Sequence, residues 1–293
     1  MKIETEKKFA ASLSIVSNAM IIVFKLIAGI ISGSISIISE AIHSMSDFLA
    51  SVLTYFAVLR SSQPPDKEHP FGHGRYEDVA GFIEGILIIL ASVYIVSEAV
   101  KKLVVQNSSE FNSTLGIIVM GIAVVANWAV SSYLFFVAKK SESVALHADA
   151  QHLSTDIYSS LGVFAGLTLI KITGLTILDP IIALVVAIII LRTGYTITKD
   201  TLNNLVDGTL PEDELGVIRQ VLDNCKNIKG YKNLKARKSG PNRDVDLTLL
   251  FDENMSIKEC HKICDNIENE IKNTLSHTQI TIHCEPAPTT IKL

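Results

Sequence analysis

Cysteine is missing from the first 224 residues; Cys225, Cys260, Cys264 and Cys284 all lie in the C-terminal part of the 293-residue chain. Most of the protein therefore has no thiol for a disulfide framework. Charge is sparse as well, at 19% of residues, and nearly balanced at a net -4. With no basic, aromatic surface, nothing points to a nucleic-acid partner. The HExxH pattern of zinc hydrolases is absent too, and with it the usual pairing of two ligands and a general base.

What is abundant is apolar residue, 48% of the chain, with a positive mean hydropathy of +0.36. It concentrates before about residue 200, in six runs of about 20 residues, the length that crosses a bilayer: roughly 12–31, 34–59, 79–103, 113–138, 144–170 and 177–198. The first run carries Lys25 and passes through Ser32-Gly33-Ser34 into the second without a clear cleavage site. It is expected to stay in the mature protein as half of a tight hairpin. Lys2, Lys7, Lys8, Arg60, Lys67, Arg75, Lys139, Lys140, Arg192 and Lys199 flank one set of span ends, against Lys101, Lys102 and Lys171 on the other. The positive-inside rule then places both termini in the cytoplasm, where disulfides are disfavoured. Residues 1–204 are expected to form a six-helix transmembrane domain and 205–293 a cytoplasmic domain.

Two of the spans carry residues that lipid disfavours. His43 and Asp47 lie within Ser34–Leu59, and His152 and Asp156 within Val144–Ile170. A spacing of four residues puts each pair on one helix face, and an ionisable group at membrane depth is a functional candidate. If the two helices run antiparallel, Asp47 and Asp156 each lie twelve residues from a cytoplasmic end, about 18 Å by helical rise. Two imidazoles and two carboxylates at one depth make a complete four-coordinate set for a borderline divalent ion such as zinc. Manganese prefers more oxygen ligands and an octahedron. Protons must compete with the metal for the same side chains, because an empty site would leave two buried anions and because metal binding needs neutral imidazole. Lys25 and Glu84, also within spans, are expected to pair with each other or reach polar surroundings. His147 and Asp149, near the start of the fifth span, are expected to be solvated helix-end groups.

The loop SSQPPDKEHPFGHGRYED between the second and third spans turns on its prolines and glycines. It offers Asp66, His69 and His73 as a second, cytoplasmic ligand set. Beyond Asp207 the pattern becomes that of a soluble domain. PEDELGVIRQVLDNC and SIKECHKICDNIENEIKNTL have helical periodicity. YKNLKARKSG, RDVDLTLLFD and QITIHCEP read as strands, with Val245, Leu247, Leu249 and Phe251 alternating as on a half-buried sheet. The order αββαβ indicates a small two-layer α+β domain.

The paired HSMSD and HLSTD, the loop DKEHPFGHGR, and six spans followed by a soluble tail together resemble the cation diffusion facilitator family. The resemblance covers essentially the whole chain. It implies a homodimeric exporter in the cell membrane, exchanging a divalent metal ion for protons by alternating access, with His43, Asp47, His152 and Asp156 as the transport site. It also implies a ferredoxin-like cytoplasmic domain that senses metal and dimerises. There His261, His283 and Glu285 match family ligand positions, while Lys232 and Thr248 stand where some members have histidine. Arg75 and Asp207 resemble a family ion pair that ties the two domains. Zinc is the expected ion, transported and regulatory, with manganese, iron(II), cobalt or cadmium as alternatives. The chain departs from many zinc-transporting bacterial members in having His43 where they have aspartate. Cys260, Cys264 and Cys284 are either soft ligands or ordinary buried thiols. A membrane-embedded metalloenzyme and a membrane-anchored metal sensor are the rivals; the first lacks a general base beside an open coordination position, and the second has no use for ligands at the centre of six spans.

Overall fold

A computed structural model describes residues 2–32, 35–105, 114–173 and 178–288. The chain divides into two compact units, Met1–Leu202 and Asn203–Leu293. The first is all helix: α1 (Lys2–Ser32), α2 (Ile35–Ser61), α3 (Arg75–Val105), α4 (Thr114–Ser141), α5 (Val144–Thr173) and α6 (Leu178–Leu205). Each of the six apolar runs coincides with one of these helices. Proline explains their length, because no proline falls between Pro70 and Pro180, and Pro180 itself sits in the first turn of α6, where a missing N–H costs nothing. The link at Gly33-Ser34, expected as the tip of a hairpin, lies outside the described residues.

At 27 to 31 residues, the helices reach about 40–46 Å, longer than a hydrocarbon core of about 30 Å. Among the described residues, three stretches are long and apolar enough to cross a membrane: Ile3–Ile27, Arg75–Lys101 and Gly121–Ser141. The unit inverts the burial of a water-soluble bundle. Phe24, Phe56, Leu90, Val125, Trp128 and Phe136 face outward, whereas the interior is built from Ala10, Ala11, Ala57, Ala80, Ala138, Ala145 and Ala150 with buried serines and threonines. Small interior residues let helices approach closely when lipid outside is as apolar as leucine. At the closest approach of α3 to α6, a Cβ on Gly85 would stand 2.9 Å from the Thr198 backbone nitrogen, and one on Gly194 would stand 3.1 Å from the Gly85 carbonyl.

The second unit runs α7 (Glu212–Asn224), β1 (Gly230–Ser239), β2 (Asn242–Phe251), α8 (Ile257–Thr274) and β3 (Thr278–Pro286), the αββαβ order expected. Its sheet has the order β1-β2-β3, with β1 antiparallel and β3 parallel to β2. Gly240, at φ +57, supplies the left-handed residue of the tight turn between β1 and β2. Val245, Leu247, Leu249 and Phe251 are all buried, packed against Leu215, Ile218 and Leu222 of α7 and against Cys264, Ile267 and Ile271 of α8. The start of α8 is fixed by a capping box in which Ser256 Oγ accepts from the Glu259 N–H and Glu259 accepts from the Ser256 N–H. Arg243 ties the domain together: Nε and Nη2 donate to the two oxygens of Glu214 at 2.7 and 2.9 Å, and Nη1 donates to the Ser276 carbonyl at 2.9 Å.

Candidate metal sites

In the loop between α2 and α3, Asp66 acts first as an organiser of the backbone. Its Oδ1 accepts from the N–H groups of Glu68 and His69, at 2.9 and 2.6 Å, an Asx-type turn that Gly72, at φ +88, allows to continue. The turn brings His69 Nδ1 to 3.4 Å from Asp66 Oδ1 and His73 Nε2 to 3.3 Å from Asp66 Oδ2, and sets the two imidazole rings 4.5 Å apart. Ligand atoms of all three residues lie within 4.8 Å of one another. A tetrahedral zinc site with bonds of about 2.0–2.1 Å has neighbouring ligands about 3.3–3.4 Å apart, so these spacings are those of a cage around one ion. His69 Nδ1 and both His73 nitrogens are shielded from solvent without a hydrogen-bond partner among the described residues, although buried polar atoms are almost always satisfied. The Asp66 carboxyl is held below its ordinary range, chiefly by the His69 N–H and then by the Glu68 N–H and the two imidazoles, which keeps it an anion. The three loop residues singled out from the sequence therefore come together and suit a divalent cation. Among the described residues, no other group of three or more such side chains is gathered this tightly.

Of the four expected transport ligands, the side chains of His43 and Asp47 lie outside the described residues; their backbone is in α2, which packs against α5. His152 is buried in α5, and Asp156, one turn on, is half-buried. One turn before His152 the structure corrects the sequence expectation. Asp149 is fully buried rather than solvated, because hydroxyls of other helices reach it: Ser51 donates to its Oδ1 at 3.2 Å, and Ser14 and Asn18 bond to Ser51 at 2.8 and 2.7 Å. Glu84 is also fully buried and accepts from Thr54, while Lys25 donates to Ser44 at 2.8 Å. Glu84 Oε2 and Asp149 Oδ2 have no hydrogen-bond partner among the described residues. His147, in contrast, is exposed and meets Phe135 edge-on. A third buried carboxylate, Glu77, accepts from Lys7 at 2.6 Å and Ser61 at 2.6 Å and also from Ser143. The sequence signal for these groups was the serines and threonines at helical spacing on α1 and α2, which have no reason to be there on a lipid-facing surface.

In the C-terminal unit the expected set does not assemble within one chain. His261 is 77% exposed and lies against Asp265. His283 Nε2 stands 3.5 Å from Glu285 Oε1, and the Lys232 ammonium occupies Glu285 Oε2 at 2.7 Å. Register explains the last contact: Lys232, Thr248 and His283 form one row across β1, β2 and β3. The ammonium draws the Glu285 carboxyl below its usual range, with His283 adding a smaller effect. Close by, Cys264 Sγ and Cys284 Sγ are 3.5 Å apart. Burial and then its hydrogen bond with Cys284 push the Cys264 thiol up to about 12. Asp207 accepts from Arg237 at 3.1 Å within this unit.

Residues 11–206 match the cation efflux transmembrane domain and residues 210–287 the cytoplasmic domain of cation efflux proteins. An uncharacterized transporter of Synechocystis sp. is 31% identical over 268 residues, covering 89% of this chain and 84% of the relative. The cation-efflux pump FieF of Pectobacterium atrosepticum is 29% identical, covering 94% of this chain and 92% of the pump. The manganese efflux system protein MneP of Bacillus subtilis is 29% identical, covering 94% and 95%. A bundle with lipid-compatible helices and buried ionisable groups, followed by a small α+β domain, thus has relatives along nearly its full length. These are transporters rather than enzymes, and the chain is an integral membrane protein of the cation diffusion facilitator family, which exports divalent metal cations.

Proposed function

We propose that the protein exports Zn2+ in exchange for protons, binding the ion between α2 and α5 through His43, Asp47, His152 and Asp156. The observation that supports this most is His152, an imidazole buried in a span with a carboxylate one turn away in a chain that belongs to a family of divalent cation exporters. Lone buried histidines usually serve packing, but the repetition of HxxxD on a neighbouring helix supplies the remaining ligands. Two neutral imidazoles and two carboxylates neutralise Zn2+, and protons on the same groups neutralise the site when the metal leaves. The exchange therefore needs no separate proton path. Alternating access would then open this one site to either side of six membrane-spanning helices, with both termini in the cytoplasm.

Three further assignments belong to the same proposal. The loop set Asp66, His69 and His73 holds a second ion at the cytoplasmic ends of α2 and α3. The C-terminal unit pairs with a second copy of the chain, so the working protein is a homodimer in a lipid bilayer. Arg75 and Asp207 link the membrane unit to the C-terminal one and transmit its state.

Manganese is the second reading, favoured by the 29% identity to the Bacillus subtilis manganese efflux protein; the FieF relative leaves iron(II) within the same class. Reconstituted vesicles loaded with a metal-sensitive dye decide between them. Zn2+ uptake faster than Mn2+ uptake under matched pH gradients supports the zinc assignment. The reverse order overturns it in favour of an oxygen-preferring cargo, and uptake of neither ion overturns the transport reading for both.

A further inference from the structure

We propose that Cys260, Cys264 and Cys284 form a binding site for a soft, thiophilic cation, represented by Cd2+, that bridges α8 to β3 in the C-terminal unit. Cys260 and Cys264 are four residues apart on α8 and so share one helix face. That face turns to the sheet, since Cys264, Ile267 and Ile271 are all buried in the domain core and Cys260 packs against the same core. On β3, Cys284 shares a strand face with Ile280 and Ile282, which also join that core, and its sulfur touches Cys264 at 3.5 Å. Three of the four cysteines of the chain thus belong to the contact between α8 and the edge strand β3, two of them with sulfurs in contact.

The spacing suits a metal. Two thiolates on a tetrahedral ion with bonds of about 2.3 Å lie about 3.8 Å apart, so the Cys264–Cys284 pair needs a shift of only a few tenths of an ångström. Cys260, one turn earlier on the same helix face, is the third thiol of the set. Packing alone accounts for Cys264, which is 8% exposed, but not for Cys284, which is exposed on the edge strand and leaves an open approach for an ion. Sulfur ligands select soft cations over the nitrogen- and oxygen-preferring ones that suit the loop set. The site is therefore chemically distinct from the loop and the membrane ligands, and from His261, His283 and Glu285. On binding, each thiol releases its proton to water, so that three thiols and Cd2+ give a tris-thiolate complex of net charge -1 and three protons. No electron is transferred.

The test titrates the purified full-length protein, kept reduced, with CdCl2 and follows sulfur-to-cadmium charge-transfer absorption, to which histidine and carboxylate sites contribute nothing. The wild type is expected to develop the band to saturation at one Cd2+ per chain, with loss of thiol reactivity toward an aromatic disulfide reagent. Cys284→Ser and Cys264→Ser are each expected to abolish the saturable band, Cys260→Ser to weaken the affinity at least tenfold, and Cys225→Ser to leave it unchanged. Cys284→Ser is the safer variant for folding because its side chain is outside the tight core. Absence of a band in the wild type, survival of the band in Cys284→Ser, or its loss in Cys225→Ser would each overturn the site. So would loss of the Cys264 and Cys284 thiols without metal under these conditions, which would make the pair a disulfide switch.

Discussion

His73 Nε2 lies 3.3 Å from Asp66 Oδ2 with its imidazole almost wholly out of solvent, while the carboxylate it faces is half-exposed. One partner is thus fixed by packing and the other by the two backbone N–H groups that it accepts, and together with His69 they form a preorganised pocket. Asp66→Ala removes both a ligand and the organiser of the turn. Zn2+ bound at the loop is expected to weaken by more than the roughly 10–100-fold that losing an outer-shell partner costs a metal site, and the bound stoichiometry to fall by one ion per chain. Equilibrium dialysis of the purified protein against buffered zinc checks it; unchanged stoichiometry would remove the loop from the metal sites.

Asp149 depends on Ser51 in a way that its position in the sequence conceals. Ser51→Ala deletes the donor to a fully buried carboxylate oxygen, and a buried acceptor left unsatisfied costs about 1–3 kcal/mol. The detergent-solubilised variant is expected to melt at lower temperature than the wild type, while Ser97→Ala, at an exposed serine that donates to the Tyr94 carbonyl of its own helix, leaves the melting temperature alone. Equal melting of Ser51→Ala and Ser97→Ala would mean that Asp149 is satisfied some other way.

Arg243 and Glu214 give the C-terminal unit a pH dependence with a defined sign. The bidentate contact holds the Glu214 carboxyl below the usual carboxylate range, the Arg243 hydrogen bonds outweighing the opposing effect of burial and the Arg243 charge adding to them. A carboxyl depressed in the folded state adds stability above its unfolded pKa, and that stability is lost as pH falls through the folded value. Hydrogen-exchange protection in 205–293 of the full-length protein, measured against the intrinsic rate at each pH, is therefore expected to fall below about pH 4.5 in the wild type. Arg243→Met is expected to be less protected at neutral pH and to show a flatter acid dependence. The same acid dependence in both proteins would assign it elsewhere.

The HxxxD pairs were legible because helical spacing and the cost of ionisable groups in lipid are both properties of a single segment. The alternation Val245, Leu247, Leu249 and Phe251 was legible for the same reason, and it fixed the buried face of β2. Asp149 and Glu84 were not, because their burial depends on Ser51, Ser14 and Thr54, which arrive from α1 and α2; the run of residues around Asp149 says only that a charge is near a helix start. Lys232 on Glu285 was hidden likewise, since it follows from the register of three strands. In the C-terminal unit the resemblance placed Lys232 at a position where some family members have histidine, but not its ammonium on Glu285. The loop set differs, because Asp66, His69 and His73 are brought together by one turn whose glycines and prolines are themselves in the sequence.

The central claim is that His152 and Asp156 bind the exported ion and exchange it for protons. Zn2+ uptake into inside-out vesicles with an acidic lumen measures this most directly, comparing the wild type with His152→Ala and Asp156→Ala at equal amounts of folded protein. The account predicts uptake by the wild type that collapses when the pH gradient is dissipated, and a loss of at least about a hundredfold in each variant, roughly the 2.7 kcal/mol that two factors of ten represent. Wild-type rates in either variant, or uptake indifferent to the pH gradient, would contradict it.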